Sequence, residues 1–193
     1  MDWNLIYPLN EFYERLGLPL PAVTRVDGQQ MPEPYKTLLV HNRDMTPTLE
    51  RAHDRSILLR VLGSTLSGGV LSREVLLLPE GAEAPVAFGA SKIHLEYFPD
   101  EARPELLEGK RPLGAILRAH GIAHTGRPEI FLEVTADDLI HQALGLTTPA
   151  RLYGRRNALF DAAGRTLAEV VEILPPANGH LHSKRNRAKS QSL

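Results

Sequence analysis

The sequence predicts an α+β fold, in which a six-stranded antiparallel sheet carries helices flanking one side. Two observations support this prediction. Six short apolar runs are rich in Leu, Val and Ile, and most links between them are too short for the crossover that parallel strands need. The segments between the remaining runs carry apolar residues at helical spacing instead.

The composition is that of one soluble globular domain. The chain has 193 residues, of which 42% are hydrophobic and 23% are charged. No apolar run is long enough to span a bilayer, and the first residues lack the basic start of a signal peptide. These features predict a cytoplasmic protein with no membrane partner. The absence of cysteine excludes disulfides and thiolate chemistry.

The charge is divided unevenly along the chain. The net charge is −1, but the last ten residues contain four basic side chains and no acid, so the remainder carries −5. An acidic body is a poor ligand for nucleic acid, and we expect no nucleic-acid partner. Residues 178–193 are predicted to form a disordered basic tail.

Residues 1–37 are predicted to form an arm that packs on the main domain. Asn10 can cap a short helix that Gly17 ends, and the prolines that follow prevent long regular elements. The side chains expected to pack on the domain are Trp3, Tyr7, Phe12 and Tyr13.

The main domain is predicted over residues 38–177. Its first helix should cover residues 45–54, with Asp44 as N-cap and Pro47 in the first turn. Three strands follow, and the glycine-containing links between them predict an antiparallel meander. These strands are predicted at residues 57–62, 70–78 and 85–95.

The second half of the domain alternates helices and strands. Residues 99–121 predict two short helices separated by a break at 109–112, and a strand follows at 129–134. Thr135 and Asp138 suggest a capping box for a helix that ends at Gly145. Strands at 150–160 and within 164–176 should form a hairpin that places the last strand inside the sheet.

The last strand carries a carboxylate among apolar neighbours. A period of two places Ala168, Val170, Glu172 and Leu174 on one side. A carboxyl group there needs a cationic partner or a raised pKa. Arg73 is a candidate partner, although a purely structural ion pair or a solvated acid would also explain the sequence.

No familiar metal or phosphate motif is present. His120 and His124 have a spacing of four residues, but the helix ends there and no glutamate follows His120, so no metal site is expected. Arginines at 73, 155 and 156, with helix starts near residues 44–46 and 112–114, suit a small carboxylate ligand. Of Arg155 and Arg156, only one should face that ligand, because successive strand residues point to opposite sides.

Five short motifs in a fixed order resemble the chorismate pyruvate-lyases, which include the 4-hydroxybenzoate synthases. The resemblance covers roughly residues 38–176. The motifs are DMT at 44–46, SREVLLL at 72–78, PLG at 112–114, GRR at 154–156 and VEILPP at 171–176. It implies a chorismate lyase-like sheet with a ligand buried beneath helical flaps.

The resemblance also implies roles for individual residues. Arg73 corresponds to the arginine that holds a substrate carboxylate, and Glu172 to the acid beside the bond that breaks. The implied substrate-binding positions are Met45, Thr46, Leu113, Gly114 and Arg156. The implied reaction needs no cofactor and no metal: chorismate loses pyruvate and its ring becomes 4-hydroxybenzoate.

Some features depart from the family. The arm and the segment 124–150 have no clear counterpart, and one extra residue before Glu172 leaves Glu169 as an alternative for the acid position. The same fold serves effector-binding domains of transcription regulators, which usually carry a helix-turn-helix domain that this sequence does not show. The alternatives are therefore a non-catalytic module for an aromatic or carboxylated metabolite, or a scaffold that acts through the arm.

Overall fold

The computed structural model describes residues 5–177, within which the chain forms seven strands and six α-helices. The strands are β1 (Val23–Val26), β2 (Ile57–Ser67), β3 (Val70–Pro79), β4 (Ala87–His94), β5 (His124–Thr135), β6 (Arg151–Asp161) and β7 (Thr166–Leu174). The helices are α1 (Asn10–Leu16), α2 (Tyr35–Leu39), α3 (Met45–His53), α4 (Arg103–Glu108), α5 (Leu113–Ala119) and α6 (Asp138–Leu144).

All seven strands belong to one antiparallel sheet in the order β1-β5-β6-β7-β4-β3-β2. The predicted α+β class is confirmed, and β7 occupies the centre as predicted. The β6–β7 turn is closed by the Asp161 carboxylate, which accepts hydrogen bonds from the Ala163 and Arg165 amides at 2.9 and 2.8 Å. Gly164 supplies the positive φ of 79° that this turn requires.

The strand that the sequence did not predict is β1. It lies in the proline-rich arm, where only four residues pair with β5, from Val23 opposite Val134 to Val26 opposite Phe131. Four residues are too few to show a period of two clearly, so the pairing depends on a neighbouring strand that the local pattern does not reveal.

The predicted helix caps are only partly right. The N-cap of α1 is Leu9 and makes no side-chain cap, so the assignment of Asn10 was wrong. The N-cap of α6 is Asp137, whose carboxylate accepts from the Ile140 amide at 3.0 Å, rather than Thr135. Asp44 does occupy the N-cap position of α3, but its carboxylate makes no cap hydrogen bond.

One side of the sheet, here called the arm face, is covered by α1 and α6. The buried cluster joins arm residues Phe12 and Tyr13 to sheet residues such as Phe88 and Ile173. The Tyr13 hydroxyl donates to the Asp137 carboxylate at 3.0 Å and so links the arm to α6. Trp3, which was also expected to pack here, and the tail 178–193 lie outside the described residues.

The other side, here called the cavity face, carries the remaining four helices. One apolar cluster joins Leu39 and Leu49 of α2 and α3 to the sheet. A second joins Leu106 of α4 and Ile116 of α5 to the sheet. None of the helices in the described part of the chain is long and apolar enough to cross a membrane.

Candidate ligand-binding site

A cavity lies on the cavity face, between the sheet and the first residues of α3 and α5. The volume of the cavity is about 70 Å³, which is room for several water molecules or a small organic ligand. The sheet contributes Leu59, Arg73, Val75, Leu77, Ala87, Phe88, Gly89, Ser91, Asn157, Leu159, Val170, Val171 and Glu172. The helix starts contribute residues 44–46 and 112–114.

The structure brings together six of the seven site residues that the sequence suggested. Arg73 and Glu172 line the sheet side of the cavity. Met45 and Thr46 open α3, and Leu113 and Gly114 open α5, and all four line the opposite wall. These segments are far apart in sequence and meet because the β3, β4 and β7 register aligns them under the two helices.

Arg156, the seventh residue, lies elsewhere. Its Nε donates to the Glu129 carboxylate at 2.9 Å, and the residue does not line the cavity. The alternation of side chains along β6 places its neighbour Arg155 on the cavity face instead. The sequence predicted that one of the two arginines would face away from the ligand. Pairing the strands of the β6–β7 hairpin places Arg155 opposite Glu172, and this pairing was the signal that could have identified Arg155 as the arginine on the cavity face.

Arg73 is a buried cation for which residues 5–177 supply no counterion. Its relative exposure is 2%. Its Nη1 donates to the Leu106 carbonyl at 3.3 Å, its Nε has no partner, and among residues 5–177 no carboxylate pairs with it. Burial alone lowers the pKa of Arg73 to about 10, which expresses the cost of holding this charge away from water.

Glu172 pairs with Arg155, and the suggested pairing with Arg73 was wrong. The Arg155 Nε donates to the Glu172 carboxylate at 2.8 Å. The register explains this choice, because Arg155 lies directly opposite Glu172 in the β6–β7 pair. Arg73 is on β3, and β4 lies between it and β7, so roughly 10 Å separates the two strands.

Arg155 fixes the approach to α3 as well as Glu172. It is fully buried, with 0% exposure. Its Nη1 donates to the Leu39 and His41 carbonyls at 3.2 and 2.9 Å, and its Nη2 donates to the Arg43 carbonyl at 3.1 Å. One guanidinium therefore holds the segment that leads into Met45 against the same strand pair that carries Glu172.

Glu169, the alternative acid, lies on the arm face. Its carboxylate contacts His94 Nε2 at 3.1 Å, and it does not line the cavity. Two glycines lie close to Glu172 on the neighbouring strands, Gly89 directly opposite it on β4 and Gly154 opposite Ile173 on β6. A Cβ atom at Gly89 would lie 1.9 Å from the Val171 carbonyl oxygen, and one at Gly154 would lie 2.5 Å from the Glu172 carbonyl oxygen. These positions require glycine for the strands to approach so closely.

An ion pair closes one side of the cavity. Asp44 accepts from His124 Nε2 at 2.9 Å, and this hydrogen bond raises the pKa of His124. Asp44 lines both the cavity and an outer cleft that includes Arg43 and Arg51. Within residues 5–177 no group of three or more metal-ligating side chains could hold a metal ion.

Comparisons with known proteins relate this chain to others by fold. No family model matches it, and no curated protein matches it. The effector domain of PhnF from Mycobacterium smegmatis superposes with a TM-score of 0.52 at 15% identity, covering 69% of this chain and 88% of that domain. A structure of PhnF from the same organism gives the same score and identity, with 64% of that chain covered.

This likeness shows the fold. The chain adopts the α+β architecture of the PhnF effector domain, a fold related to that of chorismate lyase. The fold therefore agrees with the resemblance found in the sequence, while membership of the lyase family itself has no support from a family model. The fold lends no support to the expectation that the chain lacks a nucleic-acid partner.

Proposed function

We propose that the protein is a binding module for a small organic carboxylate, which occupies the cavity and pairs with Arg73. The observation that carries this proposal is the buried Arg73 guanidinium, which has no counterion among residues 5–177. A carboxylate supplies the missing charge and accepts hydrogen bonds from the guanidinium in a bidentate arrangement.

The rest of the cavity suits such a ligand. Its walls are largely aliphatic, with Leu59, Leu77 and Leu113 among the lining residues. A carboxylate on an apolar framework would therefore bury its charged end against Arg73 and its body against these side chains. Effector domains share this architecture, and the proposal assigns this chain the same general task of holding a small molecule.

The proposal is tested by ligand-induced stabilisation. Benzoate should raise the melting temperature, because a ligand that binds only the folded state stabilises it by about 2.7 kcal/mol at a hundred times Kd. Benzamide has the same shape without the charge and is the matched control, for which we expect a much smaller shift. Equal shifts for the acid and the amide would contradict the role of Arg73.

A pair of variants locates the binding site. Arg73→Met should abolish the benzoate-induced shift, whereas Arg156→Met removes an arginine that does not line the cavity and should leave the shift intact. If both variants respond to benzoate as the parent protein does, the cavity is not the carboxylate site.

A second candidate is the chorismate pyruvate-lyase reaction itself. It is favoured by one further observation: six of the seven positions that the family resemblance implies line a single cavity, namely Arg73, Glu172, Met45, Thr46, Leu113 and Gly114. In this function Arg73 binds a carboxylate of chorismate, the enclosed walls exclude water, and Glu172 lies beside the ether bond that breaks. Aromatisation of the ring supplies the driving force.

Incubation with chorismate decides between the two functions. The lyase predicts equimolar pyruvate and 4-hydroxybenzoate, and Glu172→Gln should slow their formation with little change in binding. The binding module predicts stabilisation by carboxylates without turnover. Absence of product at enzyme concentrations that permit a single turnover would leave only the binding module.

A further inference from the structure

We propose that β2 is an interface at which two copies of this chain associate, each pairing its β2 with the β2 of the other in antiparallel order. Such an interface goes beyond the proposed function, because it needs no ligand in the cavity. Three features support it: the edge position of β2, the leucines exposed around it, and a bulge in the middle of the strand.

β2 is a long edge strand. It ends the sheet, with β3 as its one neighbour among the strands of residues 5–177. Its 11 residues, Ile57–Ser67, extend over roughly 35 Å and present a row of backbone N–H and C=O groups along the outer side. An extended strand is the partner that pairs with such a row along its whole length.

The exposed leucines of the described chain collect along this edge. Leu58, Leu62 and Leu66 lie on β2 itself, with exposures of 47%, 45% and 57%. The other large hydrophobic side chains that residues 5–177 expose belong to the segments beside β2, namely Leu16, Leu18 and Leu107. Exposed apolar side chains gathered in one place indicate an interaction surface, whereas scattered ones do not.

Contacts place both neighbouring segments against β2. On the arm face, the Arg15 guanidinium of α1 donates to the Thr65 hydroxyl at 2.9 Å. On the cavity face, a Cβ atom at Gly109, the C-cap of α4, would lie 3.2 Å from Val61. With a helix layer about 10 Å from the sheet on either side, the edge is a strip of roughly 35 by 20 Å, or about 700 Å², close to the ~800 Å² per partner of a standard interface.

The bulge favours a second copy over an unrelated strand. Leu62 is an extra residue between Val61, which lies opposite Val75, and Gly63, which lies opposite Glu74. The alternation of side chains between the two faces therefore changes phase in the middle of β2. A regular strand keeps one phase and would match one half of β2 alone, which protects this edge from unspecific pairing. A second β2 changes phase at the same place and matches both halves.

The two bulges coincide when Val61 of each copy lies opposite Leu62 of the other. Leu58 then lies opposite Thr65, and both residues belong to the arm face, since their β3 neighbours are even-numbered like Glu74. In this register Ile57 to Leu66 overlap completely. The pairing is its own reciprocal, so the two-fold axis passes through the bulge and the assembly closes at two copies.

The same register brings opposite charges together on the arm face. Arg60 of one copy lies opposite Gly63 of the other, and Gly63 lies opposite Glu74 on β3. Glu74 is 7% exposed, and its Oε1 is buried without a partner among residues 5–177. Its Oε2 lies 3.7 Å from the position of a Cβ atom at Gly63, and glycine has no side chain to separate the two charges. The two Arg60 side chains do not face each other.

Sedimentation velocity on the full chain tests for the second copy. The mass should rise from the 21.4 kDa of one chain to twice that value as the concentration increases. We expect a dissociation constant in the micromolar range or below, as for other interfaces of this size. A single-chain mass at every concentration up to about 1 mM would overturn the inference. Assemblies larger than two copies would overturn it as well, because the register closes.

A matched pair of variants locates the interface. Leu62→Asp places two like charges at the axis and should weaken association about a hundredfold or more. Thr24→Asp adds the same charge to an exposed residue of β1, at the opposite edge of the sheet, and should leave association unchanged. A dimer that survives Leu62→Asp, or one that both variants dissociate equally, would contradict the assignment to β2. At concentrations where the parent is a single chain, both variants should melt with it, because both positions are exposed.

A cross-link tests the register and does not depend on the fold of the aspartate variant. The chain contains no cysteine, so Leu62→Cys carries a single thiol, close to its own copy across the axis and within the Cα separation of about 4.4–6.8 Å that a disulfide spans. Mild oxidation with diamide should convert this variant to a covalent dimer, whereas Thr24→Cys should stay a single chain under the same conditions. Equal cross-linking of the two variants, or none at Leu62→Cys, would overturn the inference.

Discussion

The two faces of the sheet can be compared through two consecutive residues of β3, each of which buries a charged side chain. Arg73 points to the cavity face and Glu74 to the arm face, with exposures of 2% and 7%. Each retains a buried side-chain atom that has no partner in the described part of the chain, the Nε of Arg73 and the Oε1 of Glu74. Burial lowers the pKa of Arg73 and raises the pKa of Glu74. The electrostatic cost is thus similar in kind on both faces.

The faces differ in what lies beside the charge. The arm fills the space next to Glu74. A Cβ atom added at Gly63 would lie 3.7 Å from the Glu74 carboxylate and 3.6 Å from the Phe12 ring, so the ring and the carboxylate lie close together there. Beside Arg73 there is a cavity, which Asn157 also lines, and the Asn157 Oδ1 atom is buried without a partner among residues 5–177. A buried charge alone therefore does not mark a binding site. A buried charge beside an open cavity, as at Arg73, does.

The largest effect should come from Arg155, which holds the cavity face together. Arg155→Met leaves Glu172 without its partner and removes the bonds to the 39–43 segment, so we expect a loss of about 3–5 kcal/mol in the free energy of unfolding. Urea denaturation measures it. The double variant Arg155→Met with Glu172→Met should recover part of the loss, and a double variant less stable than the single one would show that the ion pair is not the cause.

On the arm face the corresponding loss should come from apolar packing. Phe12 is 4% exposed within the arm-face cluster, and Phe12→Ala should cost about 3 kcal/mol. Leu16→Ala, on the same helix but 57% exposed, is the control and should have little effect. Carboxylate affinity of the folded Phe12 variant should be unchanged, and a parallel loss of affinity would mean that the two faces are coupled.

Arg73 should affect binding more than stability. Arg73→Met should weaken carboxylate binding roughly ten- to a hundredfold, because a charge-assisted bond to a buried anion contributes ~1.5–3 kcal/mol. Arg73→Lys should restore only part of the affinity, since it lacks the bidentate fork. Calorimetry and thermal unfolding on the same samples check this. Loss of binding accompanied by an equal loss of stability would assign Arg73 to the fold.

The smallest effect should be the pH dependence that Glu74 contributes. Because burial raises the pKa of Glu74, the folded protein holds this proton at higher pH than the unfolded chain does, and stability is lost as the pH rises through that interval. Glu74→Gln should therefore be more stable than the parent at neutral pH, with the difference vanishing near pH 4. Urea denaturation at several pH values measures it, with exposed Glu14→Gln as the control. A difference independent of pH would exclude titration as its origin.

Much of the architecture could be predicted from sequence because it depends on local patterns. The six longer strands each carry apolar residues over enough length to show their period, and the Asp161–Gly164 turn has recognisable chemistry. Strand parity also places Val170 and Glu172 on one face, as the structure shows. The four-residue strand β1 depends on its pairing with β5 and could not be found in this way. The cap of α6 is local, since the Asp137 carboxylate accepts from the Ile140 amide, and here the sequence offered Thr135 as a competing candidate.

The site was predictable in its position and less so in its pairings. Short motifs identified Arg73, Glu172, Met45 and Leu113, which line one cavity. The partner of Glu172 depends on which strands are neighbours, and the interposition of β4 between β3 and β7 cannot be seen in a single sequence. Asn157 is an ordinary strand residue by pattern, and only its Oδ1, which is buried without a partner among residues 5–177, distinguishes it.

The central position of β7 has a consequence for how the molecule assembles. β7 is the last strand of the described chain, yet it joins β1, β5 and β6 to β2, β3 and β4. Until residues 166–174 lie between β6 and β4, the half made of β1, β5 and β6 shares no strand hydrogen bonds with the half made of β2, β3 and β4. Pairing across the seam between β7 and β4 is slow, because these two strands are distant in the sequence. Arg73 and Asn157 belong to different halves, so the cavity forms only when the seam closes, and a chain that stops before β7 would expose two unpaired strand edges prone to aggregation.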